Sequence, residues 1–239
     1  MKKWIKSHGL IIYQVLSGRS NSFLVSSNDK FFLIDTGRAS SWKKLSKNLD
    51  DILGENQLSC LILTHTHFDH CENATKIKEK YNCKVIVHKC EANYLKNGDS
   101  PLPKGTNILT RFLINFIGKR IQSRYKYDPV HPDIEIDEKF DLNKFGFQAY
   151  VIPTPGHSPG SISIIIDDGL AIVGDAMFGV FKWSIFPPFA DHISLMVESW
   201  GKLLKTDCSI YLPGHGSEIS VNLLEKQYKK YNNDSIKKE

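Results

Sequence analysis

Apolar and polar positions alternate in short runs over the first third of the chain, the period-two pattern of strands with one face covered. "LIIYQVL" (10–16), "NSFLVSS" (21–27) and "KFFLIDTG" (30–37) carry it, and Asn28-Asp29 between the last two is a hairpin signal. Residues 41–53 change period: Trp42, Leu45, Leu49, Ile52 and Leu53 recur at helical spacing. "CLILT" then reads as a strand, 72–81 as a helix and "KVIVH" as a strand. A second β set follows, "FQAYVI" (147–152), "SISIIID" (161–167) and "LAIVGD" (170–175), with Asp168-Gly169 as the tight turn between the last two. A helix near 193–205, the strand "CSIYL" (208–212) and a helix near 219–230 follow. Two β-then-α halves predict an α/β (α+β) fold: two sheets packed together with helices outside, as one domain over 1–239.

Residues 96–128 break this rhythm. "NGDSPLPKG" is a loop, and the next twenty positions set Ile108, Leu109, Phe112, Leu113, Phe116, Ile117 and Ile121 on one helical stripe. This inserted helix (106–124) has four readings: packing on its own core, capping a pocket, forming a homodimer contact, or lying on a membrane surface. The formal charge of +5 is scattered, so nucleic acid is not an expected partner. No apolar run approaches the ~18 residues that cross a bilayer. "LIIYQVL" is short, contains Gln14 and lacks a cleavage site, which makes it a strand and not a signal peptide. Cysteines 60, 71, 83, 90 and 208 form an odd set without a CxxC pair, the usage of a reducing, cytoplasmic setting.

The chemistry is concentrated in "LILTHTHFDHCEN" (61–73). His65 and His67 are two apart, so in an extended chain both imidazoles point the same way, while Asp69 and His70 follow as the chain turns into a helix. The same arrangement recurs downstream. "VIPTPGHSPG" delivers His157 from a Pro/Gly loop, "LAIVGD" presents Asp175 at a strand end, and "IYLPGHG" presents His215 between two glycines. Any one of these histidines alone is an ordinary hydrogen-bonded residue. Together, five imidazoles and two carboxylates suit Zn²⁺, with Fe or Mn as substitutes, and they are too many for one tetrahedral ion. They fit two ions sharing a carboxylate, with positions left open for water.

In these motifs, from "IDTG" to "GHG", the chain resembles the metallo-β-lactamase superfamily. That resemblance implies a four-layer αββα sandwich with a dinuclear site at one sheet edge. It implies His65, His67 and His157 as ligands of one metal, Asp69, His70 and His215 as ligands of the other, and Asp175 as the bridge. Asp35 matches the superfamily's buried aspartate behind the histidine loop, although a turn carboxylate before Gly37 is an equal reading. "GDAMF" resembles the glyoxalase II group, but the stretch after His215 is too short for that group's glutathione-binding helical domain. Acyl-homoserine lactonases carry a tyrosine where Phe178 stands, the best-known β-lactamases replace the bridging aspartate with cysteine, and flavodiiron proteins have glutamate in place of His67.

The implied activity is hydrolysis of an ester, thioester or lactone carbonyl in a small apolar or acyl substrate. A metal-bound hydroxide is the nucleophile, and Asp69 handles its proton. Two alternatives are a persulfide dioxygenase-like oxidoreductase with a single iron and a phosphodiesterase or RNase-like hydrolase. The aromatic loop 176–192 either lies in the core or lines an apolar cleft through Phe178, Phe181, Trp183 and Phe186.

Overall fold

The computed structural model describes residues 1–6, 9–121, 125–166 and 169–236. Seven strands form the first sheet in chain order: β1 (Lys3–Ile5), β2 (Ile11–Leu16), β3 (Ser22–Ser27), β4 (Lys30–Ile34), β5 (Leu58–Ile62), β6 (Lys84–His88) and β7 (Ile134–Ile136). The first four are an antiparallel meander. Its β3–β4 hairpin turns on Asn28 and Asp29, at φ 47 and 62, the doubly left-handed geometry that matches strand twist. From β4 onward the pairing is parallel. A parallel neighbour needs a crossover, and α1 (Trp42–Leu53) and α3 (Ala74–Tyr81) supply two of them. The second sheet runs β13 (Ile219–Ser220), β12 (Ile210–Pro213), β11 (Leu170–Gly174), β10 (Ile162–Ile166), β9 (Ala149–Pro153) and β8 (Phe140–Asp141).

Alternation along the strands feeds three apolar layers. In β4, Phe31 and Leu33 face the helices α1, α3 and α4 (Lys89–Asn97), while Phe32 and Ile34 face the other sheet. In β11, Leu170 and Ile172 enter the layer between the sheets, and Ala171 and Val173 meet α6 (Ile193–Leu204) and α7 (Val221–Ile236). The middle layer is closed by Phe32 against Phe147, an edge-on ring pair at 4.5 Å, and the outer one by the fully buried Trp200. The result is the helix–sheet–sheet–helix order the chain pattern implies. The carboxyl ends of β4, β5, β9, β11 and β12 come to one rim, where Ile162 N–H also donates to Thr64 O and ties the sheets together.

Several elements differ from the sequence reading. The helix expected at 72–81 is α3, beginning at Ala74, and a separate single turn α2 (Phe68–Cys71) precedes it; Asn73 side-chain bonds to the Thr36, Gly37 and Arg38 carbonyls occupy the junction. The strand β1 and the helix α4 have no counterpart in that reading. Asp168, expected in the β10–β11 turn, lies outside the described residues. The inserted helix is α5 (Ile108–Ile121), capped by Asn107 Oδ1, which accepts from Thr110 N–H. Among the described side chains of its stripe, Ile108, Leu109, Phe112 and Phe116 are exposed, and Ile114 from a neighbouring face lines the cleft instead. The side chains of Leu113, Ile117 and Ile121, and residues 122–124, lie outside the described residues. Among the described residues no helix is long and apolar enough to cross a membrane.

Truncating Ile164, fully buried between the sheets, is expected to cost about 2–5 kcal/mol by urea unfolding as Ile164→Ala. Ile5→Ala, at a 75% exposed position, is expected to stay within about 0.5 kcal/mol of the parent.

Candidate metal centre

Five of the seven sequence-derived side chains sit just past a strand of the rim, Asp69 and His70 lie in the turn α2, and all seven converge. His65 and His67 follow β5, His157 follows β9, Asp175 follows β11 and His215 follows β12. Three groups have their donor atoms within 4.8 Å of one another: His65 with His67 and His157; His65 with His70 and Asp175; Asp69 with His70 and His215. Asp175 lies between them. Its Oδ2 is 3.5 Å from His157 Nε2 and 3.3 Å from His215 Nε2, and its Oδ1 is 3.4 Å from His70 Nε2. Gly214 makes this approach possible, since a Cβ there would stand 2.2 Å from Asp175 Oδ1 and 2.6 Å from His70 Cε1.

The far nitrogen of most rings is tied down, which decides what each ring shows to the centre. His70 Nδ1–H donates to Asp35 Oδ2 at 2.8 Å, and His157 Nδ1–H donates to Phe189 O at 2.9 Å. His65 Nδ1 pairs with Thr64 Oγ1 at 3.0 Å, while that hydroxyl donates to Asp35 Oδ2. Asp35 also accepts from Thr64 N–H at 2.8 Å. So the carboxylate before "TG" is not a turn residue: it sits at a left-handed φ of 57 and holds both the His65 and the His70 loops. His67 is turned the other way, its Nδ1 facing His157 Nε2 at 2.9 Å.

Two central atoms, His65 Nε2 and Asp175 Oδ1, are buried without a hydrogen-bond partner. An unsatisfied buried polar atom costs about 1–3 kcal/mol, and four imidazole nitrogens facing one another without ligands add to that. Nitrogen-rich donors with two carboxylates, orphaned and aimed at common points, fit a divalent transition metal and not Ca²⁺ or Mg²⁺.

The metal-free charge state divides the centre in two. Burial holds His67 and His157 down to about 4 each and His65 well below the ordinary imidazole value, so all three keep free lone pairs at neutral pH. Burial also opposes charge on His70 and His215, but it is outweighed there. Asp175, Asp35 and Asp69 raise His70 to about 9, and Asp175 and Asp69 raise His215 to about 11. Against its own burial, Asp69 is pulled to about 2 by His70 and His215, and Asp175 is held well below the carboxylate range by the histidines around it.

A cleft of about 270 Å³ opens onto His67, Asp69, His157, Asp175 and His215. Its walls are largely apolar, with Phe68, Leu102, Ile114, Tyr125, Phe178 and Phe189 among them. Of the four aromatic residues expected there, Phe178 lines it and stacks at 4.9 Å from His215. The other three do not. Phe186 is drawn into the outer core against Trp200 and Tyr231, and Phe181 and Trp183 lie on each other at the surface. The loop is therefore divided between core, surface and cleft. Cys71 is buried and donates to Thr66 O and His67 O. Sequence reasoning missed Asn21, whose amide donates to Pro213 O and Gly216 O on either side of His215, and Glu91, which holds the loops on both sides of the three-histidine group. Neither sits in a motif with the residues it supports, and no local signal marks them.

A model of the metallo-beta-lactamase superfamily matches residues 17–215, and the chain belongs to that superfamily, a class of metal-dependent hydrolases. Among its relatives, the probable metallo-hydrolase MJ0888 of Methanocaldococcus jannaschii is 34% identical over 178 residues, covering 74% of this chain and 76% of the relative. The hydroxyacylglutathione hydrolase GloC of Haemophilus influenzae is 25% identical over 219 residues, covering 88% and 92%. The solved structure of TTHA1623 in a di-iron-bound form superimposes with a TM-score of 0.66 at 25% identity, over 90% of this chain and 98% of that one.

Metal uptake has to displace the protons that His70 and His215 retain at pH 7. The metal-free chain is therefore expected to release about two protons per chain on binding, and its affinity to rise as pH climbs from 7 toward 9. Titration calorimetry in buffers of different ionisation enthalpy reads this directly. A heat independent of buffer would show that these two rings are not ligands.

Proposed function

We propose that the chain is a dinuclear hydrolase, with zinc the first choice of metal, acting on an ester, thioester or lactone of a small apolar acyl substrate. The observation that carries this reading is the convergence of seven donor side chains beneath an apolar cleft. His65, His67 and His157 would hold one ion, Asp69, His70 and His215 the other, and Asp175 would serve both. Such a pair would bring the pKa of water to near 7 and polarise the carbonyl oxygen.

The chain's own residues supply the rest. Asp69 lies on the cleft wall, its Oδ2 3.4 Å from His215 Nε2, so its other face is free to orient the attacking water. It takes the proton of that water as the new C–O bond forms, and delivers it to the departing oxygen or sulfur as the acyl bond breaks. Asp35 fixes the direction of His70, and Phe178 lies against His215 and lines the cleft that would take the acyl group. Apolar walls exclude water from the substrate's chain and favour an uncharged acyl or aryl group over a phosphodiester. Similarity to GloC supports a thioester as the first substrate to try. The single-iron reading uses two histidines and one aspartate, and leaves four converging donors without a purpose. Five unpaired thiols support a reducing, cytoplasmic setting.

Elemental analysis of protein purified without chelators is expected to find close to two transition-metal ions per chain. On a panel of thioesters, lactones and phosphodiesters, Asp175→Ala and His157→Ala are each expected to cut kcat/KM for the best carbonyl substrate by ~10²- to 10³-fold. Unchanged turnover in both variants would sink the mechanism. Phe178→Ala is expected to act mainly on KM for apolar acyl groups, by about tenfold, with a smaller effect on acetyl esters.

A further inference from the structure

We infer that Glu91 is a positioning residue that locks the three-histidine half of the centre into shape, an inference that rests on the metal reading above. Glu91 stands in the first turn of α4 and is buried, and it is neither a lining residue of the cleft nor one of the proposed ligands. Its carboxylate accepts four hydrogen bonds from two separate loops. Oε2 takes Thr66 N–H at 3.1 Å and the Thr66 hydroxyl; Oε1 takes Ser158 Oγ–H at 2.7 Å and Gly160 N–H at 3.0 Å.

Those partners are specific. Thr66 is the residue between His65 and His67, and Ser158 directly follows His157. One carboxylate therefore joins the loop after β5, in the first sheet, to the loop after β9, in the second. At the centre the same two loops meet ring to ring, His67 Nδ1 and His157 Nε2 lying 2.9 Å apart, a contact that one neutral ring's N–H can fill and that a bound cation would replace. A clamp behind them keeps the rings at that spacing before the cation arrives. The site is built for this side chain, because a Cβ at Gly160 would stand 2.5 Å from Glu91 Cγ. Two oxygens meeting four donors call for a carboxylate. An amide would turn an NH₂ toward an N–H or O–H, so glutamine cannot reproduce the set.

Cobalt(II) titration of the metal-free full chain, read by its visible absorption, tests this with Glu91→Gln placed in two backgrounds. His215→Ala leaves the three-histidine group intact, and His157→Ala leaves the Asp69, His70, His215 group intact. The expected result is a loss of cobalt affinity of about 10- to 100-fold, with an altered d–d band, in the first background and none in the second. Equal losses in both, or no loss in either, would overturn the inference. A purely structural role would lower the unfolding temperature and weaken both sites together. If Glu91→Gln does not fold, Ser158→Ala, which removes one donor and keeps the carboxylate, is expected to give a smaller loss confined to the same background; equal or absent losses count against Glu91 in the same way. A wild-type chain that binds no cobalt would overturn the metal reading and this inference with it, whereas a wild type that binds while Glu91→Gln binds equally overturns the inference alone.

Discussion

Bringing five imidazoles to within a few ångströms of one another is unfavourable, and most of the site's surroundings answer that problem. Facing nitrogens repel as lone pairs or as cations, and burial removes the water that would screen them. The chain holds them there by fixing the far side of each ring and the backbone beneath it. Asp35 serves Thr64 and His70, the Phe189 carbonyl serves His157, and Glu91 serves the loops around His65, His67 and His157. These contacts are made whether or not the near side of the rings is satisfied. The orphaned His65 Nε2 and Asp175 Oδ1 are what remains when the scaffold is complete and the ligand is not counted.

The scaffold can bear this load because its framework is conventional. Three apolar layers, each fed by alternate positions of the same strands, hold the sheets rigidly face to face. Polar residues can then collect on the loops at the strand ends, although the loop after β11 also sends Met177, Ile185 and Phe186 into the outer layer. The charge pattern follows from the same geometry. Burial wins at His67 and His157 although carboxylates lie near them, while the combined pull of the surrounding aspartates wins at His70 and His215. One half of the centre is thus ready to bind as it stands, and the other half is gated by pH.

Access to the centre is shaped by segments outside the layered framework. The loop 100–103, Ile114 of α5 and the 187–189 stretch close over the donors, tied together by bonds such as Thr106 N–H to Pro188 O. On the proposed function their apolar character would direct the choice of substrate and the converging side chains the chemistry, so selectivity and reactivity would be carried by different parts of the chain.

Much of this was legible in the order of residues. Period-two and helical patterns located most strands and helices, and the string His65-x-His67-x-Asp69-His70, repeated in kind at His157, Asp175 and His215, marked the side chains that converge, because polar residues placed beyond strand ends leave a local mark after an apolar run. Side chains whose role depends on what lies opposite left no such mark. Glu91 is one glutamate in an ordinary helix until folding sets two loops against it, and Asn21 is one loop residue until the His215 turn arrives. The α5 stripe leaves four readings open in the sequence, and four of its residues meet solvent; the aromatic loop after Asp175 reads as either core or cleft lining, and its rings divide among core, cleft and surface. Local periodicity reports which faces an element has. Which partner each face meets is settled only when distant segments pack, and that is where the clamp, the cleft and its lining were decided.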